Sequence, residues 1–243
     1  MGASDIVAGR EIGYMRTVYS QMYAARFAFA EPMKFLVLFA LFLTAALSLA
    51  ADYETNEMPM YGGDHVPEVE RSPANSKGAA ELGWKYLYRG DLSTAMKRFN
   101  QAWMFDRTNP DAFWGLGIVM GRRAEKEDTE RNLTESISLL TKAHELSPQN
   151  GKITGDLAFS YALLGNYLAT KGGDGKEKYE KAEDLFTDAY KREPQYPPIP
   201  ANWAVLKFYT GDYQASRKLL QEAQRLGYTP DPDFLKELNE KLE

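Results

Sequence analysis

Four short stretches of the chain hold residue types that carry chemistry in other proteins. Gly115–Gly121, GLGIVMG, has the glycine density of a dinucleotide-binding loop. Such a loop follows a strand and needs a third glycine at a fixed offset, so that the backbone can approach a pyrophosphate. Met120 stands where that glycine belongs, and the run is itself helical in pattern. Its glycines are therefore read as points where helices approach closely. KGGDGKEK, around Gly175-Lys176, has the glycines and lysine of a phosphate loop. Its first glycine is misplaced, and Glu177 replaces the hydroxyl residue that would meet magnesium, so it reads as a flexible loop. Arg89-Gly90-Asp91 spells an adhesion tripeptide, but it falls where a helix breaks, and Asp91 is a helix-capping type. Among the two histidines, His144 sits on the polar face of a helix beside Glu145, while His65 lies near Met58, Met60 and Asp64. Methionine and histidine suit copper(I), but this set is sparse and reads as a solvated tail.

Asn132-Leu133-Thr134 matches a glycosylation acceptor, which matters only in a eukaryotic secreted chain. There is no cysteine, hence no thiolate nucleophile, disulfide or thiolate metal site. No nucleophile elbow or Ser/His/Asp pattern occurs. The expectation is a protein without catalytic residues, metal or cofactor, and not an enzyme. The net charge of -5, with 44% hydrophobic and 26% charged residues, is that of a mildly acidic globular chain. Nucleic-acid binders present a basic face, so no nucleic-acid partner is expected.

One apolar run stands out, MKFLVLFALFLTAALSLAAD, from Met33 to Asp52. Lys34 gives a positive start, Phe35 to Leu47 a solid apolar stretch, and Ser48 and Ala50 the small residues that precede a cut before Ala51. That is the anatomy of a secretory signal peptide. A spanning helix needs about 20 apolar residues, and this run is slightly short. The expectation is that Met33 is the functional start, that residues 1–32 are upstream sequence, and that 33–50 direct export to the periplasm. The alternative is an uncleaved anchor in the inner membrane, with Arg16, Arg26 and Lys34 on the cytoplasmic side and the remainder facing the periplasm. Under that alternative the N-terminal segment is the protein's membrane contact. A buried core helix is the third reading. Residues 51–75, rich in Pro, Gly and acid, read as a flexible linker.

Beyond the linker the pattern is helical almost to the end, with no alternating strand. Leu82, Gly83 and Tyr86 share one face of a helix that Gly90-Asp91 breaks; Ala95, Phe99 and Ala102 follow on a second. Two small residues flanking a large ring let the helices press together. Leu116-Gly117 repeats Leu82-Gly83 after 34 residues, and its partner helix carries Ser136, Leu140, Ala143 and Pro148. Leu157, Ala158 and Tyr161, then Gly165-Asn166-Tyr167, precede Ala182, Phe186, Ala189 and Pro194. Trp203-Ala204 and the turn Gly211-Asp212-Tyr213 precede Ser216, Leu220 and Ala223. The two longer spacings place polar surplus around GRRAEKEDTERN and LATKGGDGKEK, expected as surface insertions. PDPDFLKELNEKLE supplies a ninth helix, with Phe234, Leu235 and Leu238 covering the last repeat.

This pattern resembles the tetratricopeptide repeat family, whose pitch is 34 residues. The resemblance covers residues 76–227 as four repeats, with 228–243 as a cap. It implies an all-α, right-handed α-solenoid of helix-turn-helix repeats, whose concave face binds a protein segment. On that geometry Trp84, Tyr88, Trp114, Ile118, Arg122, Lys152, Phe159, Phe208 and Tyr209 line the groove, unless neighbouring helices take the rings as core. Chaperone-binding members of the family hold a C-terminal carboxylate with a Lys/Asn clamp. The matching positions are Ala80, Trp84, Gly115, Lys152 and Asp156, of which only Lys152 fits. The implied ligand is instead an apolar peptide or helix. The expected function is a protein-binding scaffold in the cell envelope. The alternatives are a permanent assembly subunit of an envelope complex, and a metal carrier that uses Met58–His65.

Overall fold

The computed structural model describes residues 69–243. The expected upstream segment, the apolar run and the Met58–His65 cluster lie outside the described residues. Nine helices and no strand occur among the described residues. They are α1 (Pro73–Tyr88), α2 (Leu92–Phe105), α3 (Pro110–Arg123), α4 (Thr129–Leu146), α5 (Gly151–Thr170), α6 (Lys176–Arg192), α7 (Pro198–Tyr209), α8 (Tyr213–Arg225) and α9 (Pro232–Glu240). No described helix is long and apolar enough to cross a membrane.

Local chemistry sets most helix starts. The side chains of Ser72, Asp91, Asn109, Asn150, Asp212 and Asp231 each accept a backbone N–H from the first turn that follows. Such a bond satisfies a donor that the helix itself leaves open. Proline opens α1, α3, α7 and α9, where its missing N–H costs nothing. Gly90 and Gly211 take the left-handed conformation between α1 and α2 and between α7 and α8, at φ 79° and 80°. The Arg89–Asp91 tripeptide is thus this turn plus the α2 cap.

Helices pack in sequence: α1 on α2, α3 on α4, α5 on α6, α7 on α8, each pair then meeting the next. This is a helical-repeat solenoid. The first helices also touch one another, α1 to α3, α3 to α5 and α5 to α7. The second helices do so far less, which puts the odd-numbered helices on the inside of the curve.

The core follows the repeat register. Ala95, Ser136, Ala182 and Ser216 are buried, as are Phe99, Leu140, Phe186 and Leu220, and Ala102, Ala143, Ala189 and Ala223. Where the first of these positions is serine, its hydroxyl donates to a carbonyl of the paired helix: Ser136 to Gly117 and Ser216 to Ala204, both at 2.8 Å. On the first helices, glycine faces these large side chains. A Cβ at Gly83 would lie 2.6 Å from the Phe99 ring, and one at Gly117 2.6 Å from Leu140 Cγ. Glycine is what permits those crossings.

Three features depart from the sequence pattern. α1 begins at Pro73, inside the stretch expected as linker, because Ser72 and Pro73 nucleate a helix before its apolar face begins. The surplus residues are carried largely as extra helical turns. α4 spans 18 residues and α5 spans 20, against 14 in α2, and the connecting Ala124 and Glu125 are buried. Gly165 does not end α5. The helix runs through it, since the Tyr179 ring and the Gly175 backbone of the partner pack against the bare Cα. Leu82, expected to point into the repeat with Gly83 and Tyr86, is 40% exposed. Its equivalents Leu116 and Leu157, on first helices that follow another described pair, are buried.

Candidate partner-binding groove

The inside of the curve is built from α1, α3, α5 and α7. On α1, Trp84 and Tyr88 are one turn apart, so their rings stack with centroids 6.0 Å apart. Trp84 also meets Trp114 of α3 edge to face at 4.8 Å and Phe99 of α2 at 5.1 Å. These four rings form one cluster bridging the first two repeats. Trp84 and Tyr88 are half-buried. Trp114 is only 7% exposed, and its indole N–H donates to Asp156 Oδ2 of α5 at 2.7 Å. The cluster is therefore tied to the third repeat by a hydrogen bond.

The other expected groove residues divide. Ile118 and Phe159 are core side chains, at 1% and 0% exposure, and present no surface to a partner. The helical wheel that assigned them to the groove ignores the neighbouring pair, which closes over that face. Arg122 is half-buried and its Nη1 donates to the Leu87 carbonyl at 3.4 Å, placing it at the end of α1 beside Tyr88. Lys152 Nζ lies 5.0 Å from the Tyr196 ring centroid. Phe208 is half-buried against Tyr213 and Phe234, at 5.4 and 5.3 Å, and so belongs to the junction with the C-terminal helix. Tyr209 follows it, also half-buried. Trp84, Tyr88, Trp114 and Arg122 thus come together; Lys152, Phe208 and Tyr209 lie further along the stack.

Asp156 is the residue that the periodicity did not single out. It is 4% exposed, and burial pushes its carboxyl from the usual range up to about 7, against the smaller opposing effect of the Trp114 bond. A clue was legible, an acid inside the otherwise apolar ITGDLAFSYALLG. Near it runs a buried polar chain: Ser136 Oγ meets Ser160 Oγ at 3.0 Å, and Ser160 Oγ reaches the Asp156 carbonyl at 3.2 Å. Glu183 of α6 makes a second acid–indole link. It accepts Trp203 Nε1–H at 2.9 Å and Lys207 Nζ at 2.7 Å, fixing α7 to α6.

His144 is half-buried, with Nδ1 3.1 Å from Thr154 Oγ1, bridging α4 to α5. Among the described residues, no group of three or more His, Asp or Glu side chains is placed to hold a metal ion. Gly115–Gly121 lies within α3, buried throughout, and Gly172, Gly173 and Asp174 form the exposed turn before α6. The arrangement offers aromatic area, one guanidinium and one buried carboxyl along a curved inner face. No family model matches the chain, and no curated protein matches it in sequence.

Proposed function

We propose that the chain is an exported, non-enzymatic scaffold of the tetratricopeptide kind, which grips an apolar segment or helix of another protein on its inner face. The observation that carries this reading is the Trp84–Tyr88–Trp114 cluster on the inside of the solenoid. Trp84 and Tyr88, half-buried and held in place by stacking on each other and by the buried Trp114 beneath, offer contact area at little entropic cost. The four-fold register of small and large residues supports the family, and the order of charge, apolar run and small residues at 33–50 supports export. The work done is apolar burial with no bond made or broken.

The test is crosslinking of the full-length chain in cells, beside Trp84→Ala and Tyr88→Ala, with the mature N-terminus read in the same mass spectra. The expected result is one partner whose capture falls at least tenfold in Trp84→Ala, from a chain that starts at Ala51. Capture unchanged in both variants, with their helical circular dichroism intact, would sink the groove. A chain retaining Met33–Ala50 would replace export with anchoring.

A second reading, a permanent subunit of an envelope assembly, is favoured by Leu82. It is the large apolar side chain most open to solvent among the described residues, on the first described helix. A stable oligomer of the purified chain in sedimentation, lost in Leu82→Glu, would select that reading.

A further inference from the structure

The start of α1 is where residues 52–68, outside the described residues, join the stack. The Ser72 N–H donates to the Phe105 carbonyl at 2.9 Å, and Arg71 Nη2 lies 3.2 Å from Asp106 Oδ2. Both contacts hold the start of α1 against the end of α2, so the segment is tethered at one end of the helix that carries Trp84 and Tyr88. We propose that residues 52–68 fold back along α1 and occupy the groove at Trp84 and Tyr88, so that a partner has to displace them. This rests on the groove reading above and names the first occupant of that groove.

Charge is the first argument. Residues 52–68 carry Asp52, Glu54, Glu57, Asp64 and Glu68, and no Lys or Arg. Residues 69–109, the first helix pair with its flanks, hold seven Lys and Arg against four Asp and Glu, a net of +3. An acidic segment is therefore joined directly to a basic pair. The order of residues is the second argument. Cations gather at the far end of α1, where Arg89 is exposed and Arg122 of α3 donates to the Leu87 carbonyl at 3.4 Å. The near end is mixed, since Glu81 and Lys77 of α1 act in opposite senses on Asp111 of α3. Counted back from the tether, the segment presents Tyr61, Met60 and Met58, and then Glu57 and Glu54. Laid antiparallel to α1, its tyrosine and methionines meet the two rings, and its outer glutamates meet the arginines. Sulfur and aromatic edges both suit a ring surface.

The reach suffices. Along α1 from Pro73, Trp84 lies about 17 Å away and Tyr88 about 23 Å. The stretch from Met60 to Val69, fully extended, spans up to about 30 Å. Because segment and groove share one chain, the encounter is intramolecular and individually weak contacts are enough to fill the site. Ion pairs at exposed side chains contribute little each and are screened by salt, so the segment remains displaceable.

The experiment replaces Tyr61 of the full chain with a photoreactive benzoylphenylalanine, irradiates the dilute protein and maps the crosslink by mass spectrometry. It is repeated with Trp84→Ala and with Glu54→Lys/Glu57→Lys, the latter lying outside the nine described helices and so informative even if Trp84→Ala does not fold. The expected crosslink joins position 61 to Trp84 or Tyr88 of the same chain. Its yield should fall roughly fivefold or more in both variants and in about 0.5 M salt. No crosslink, or one on the opposite flank of α1 at Leu82 or Tyr86, would overturn the self-contact. A crosslink between two chains would also overturn it, making the occupant a second copy's segment. Partner capture in cells reads the groove separately. Capture that depends on Trp84 without the intramolecular crosslink would keep the groove and remove its self-occupancy. Glu54→Lys/Glu57→Lys should raise that capture; capture left unchanged while the crosslink is lost would overturn the displacement.

Discussion

A methyl group added at Gly115 would lie 2.2 Å from the Phe99 ring. Phe99 has no room to retreat, being fully buried and edge-on to Trp84. Alanine favours a helix by about 1 kcal/mol over glycine, so on propensity alone Gly115→Ala should stabilise α3. The crowding outweighs this, and overpacking of this kind costs about 1–3 kcal/mol. Urea denaturation of Gly115→Ala should therefore show a lower midpoint than wild type. That Gly115 and Gly117 serve the close approach of helices was legible in the sequence, since the run is helical in pattern and its glycines fall on the packed face. Asp156 was legible only as an oddity. Its burial depends on Trp114, 42 residues away, and no local periodicity encodes that contact. The same limit explains Phe159 and Ile118. A helical wheel gives the side of a helix, and only the neighbouring repeat decides whether that side is covered.

Six of the nine described helices start where a polar side chain caps a backbone with open donors. Asp91 is the clearest case, since Oδ1 accepts the Thr94 N–H at 3.0 Å, and that bond is the leading cause of its lowered pKa. Asp91→Ala should cost about 1 kcal/mol, measurable as a shift in the denaturation midpoint with the slope unchanged. Caps and opening prolines made most helix starts legible, including the ninth helix. Helix ends were harder. Glycine inside a helix ordinarily marks its stop, yet α5 continues through Gly165 because Tyr179 fills the space above it. The surplus residues looked like loops for a similar reason: their polar composition fits a solvated turn and the outer face of a longer helix equally well.

Across the whole molecule, α9 closes the open end of the stack. Phe234 and Leu238 are buried there, and Phe234 meets Phe208 of α7. Burying two such side chains contributes roughly 3–6 kcal/mol. Removing residues 228–243 should lower the Tm and cause self-association on size exclusion, as the apolar end of the last pair is uncovered. The number of repeats and their register were legible because small and large residues recur at the same offsets in every pair. The curvature was not, because it depends on how closely each first helix approaches the next. Each pair leans only on its neighbours, which has a mechanical consequence. Tension applied between the two ends would load the pairs in series, like coils of a spring. The stack would stretch first by flattening its curve at the weakest seam, and then yield one pair at a time from an end. A partner held on the inner face would feel that stretch as a change in the spacing of its anchor points.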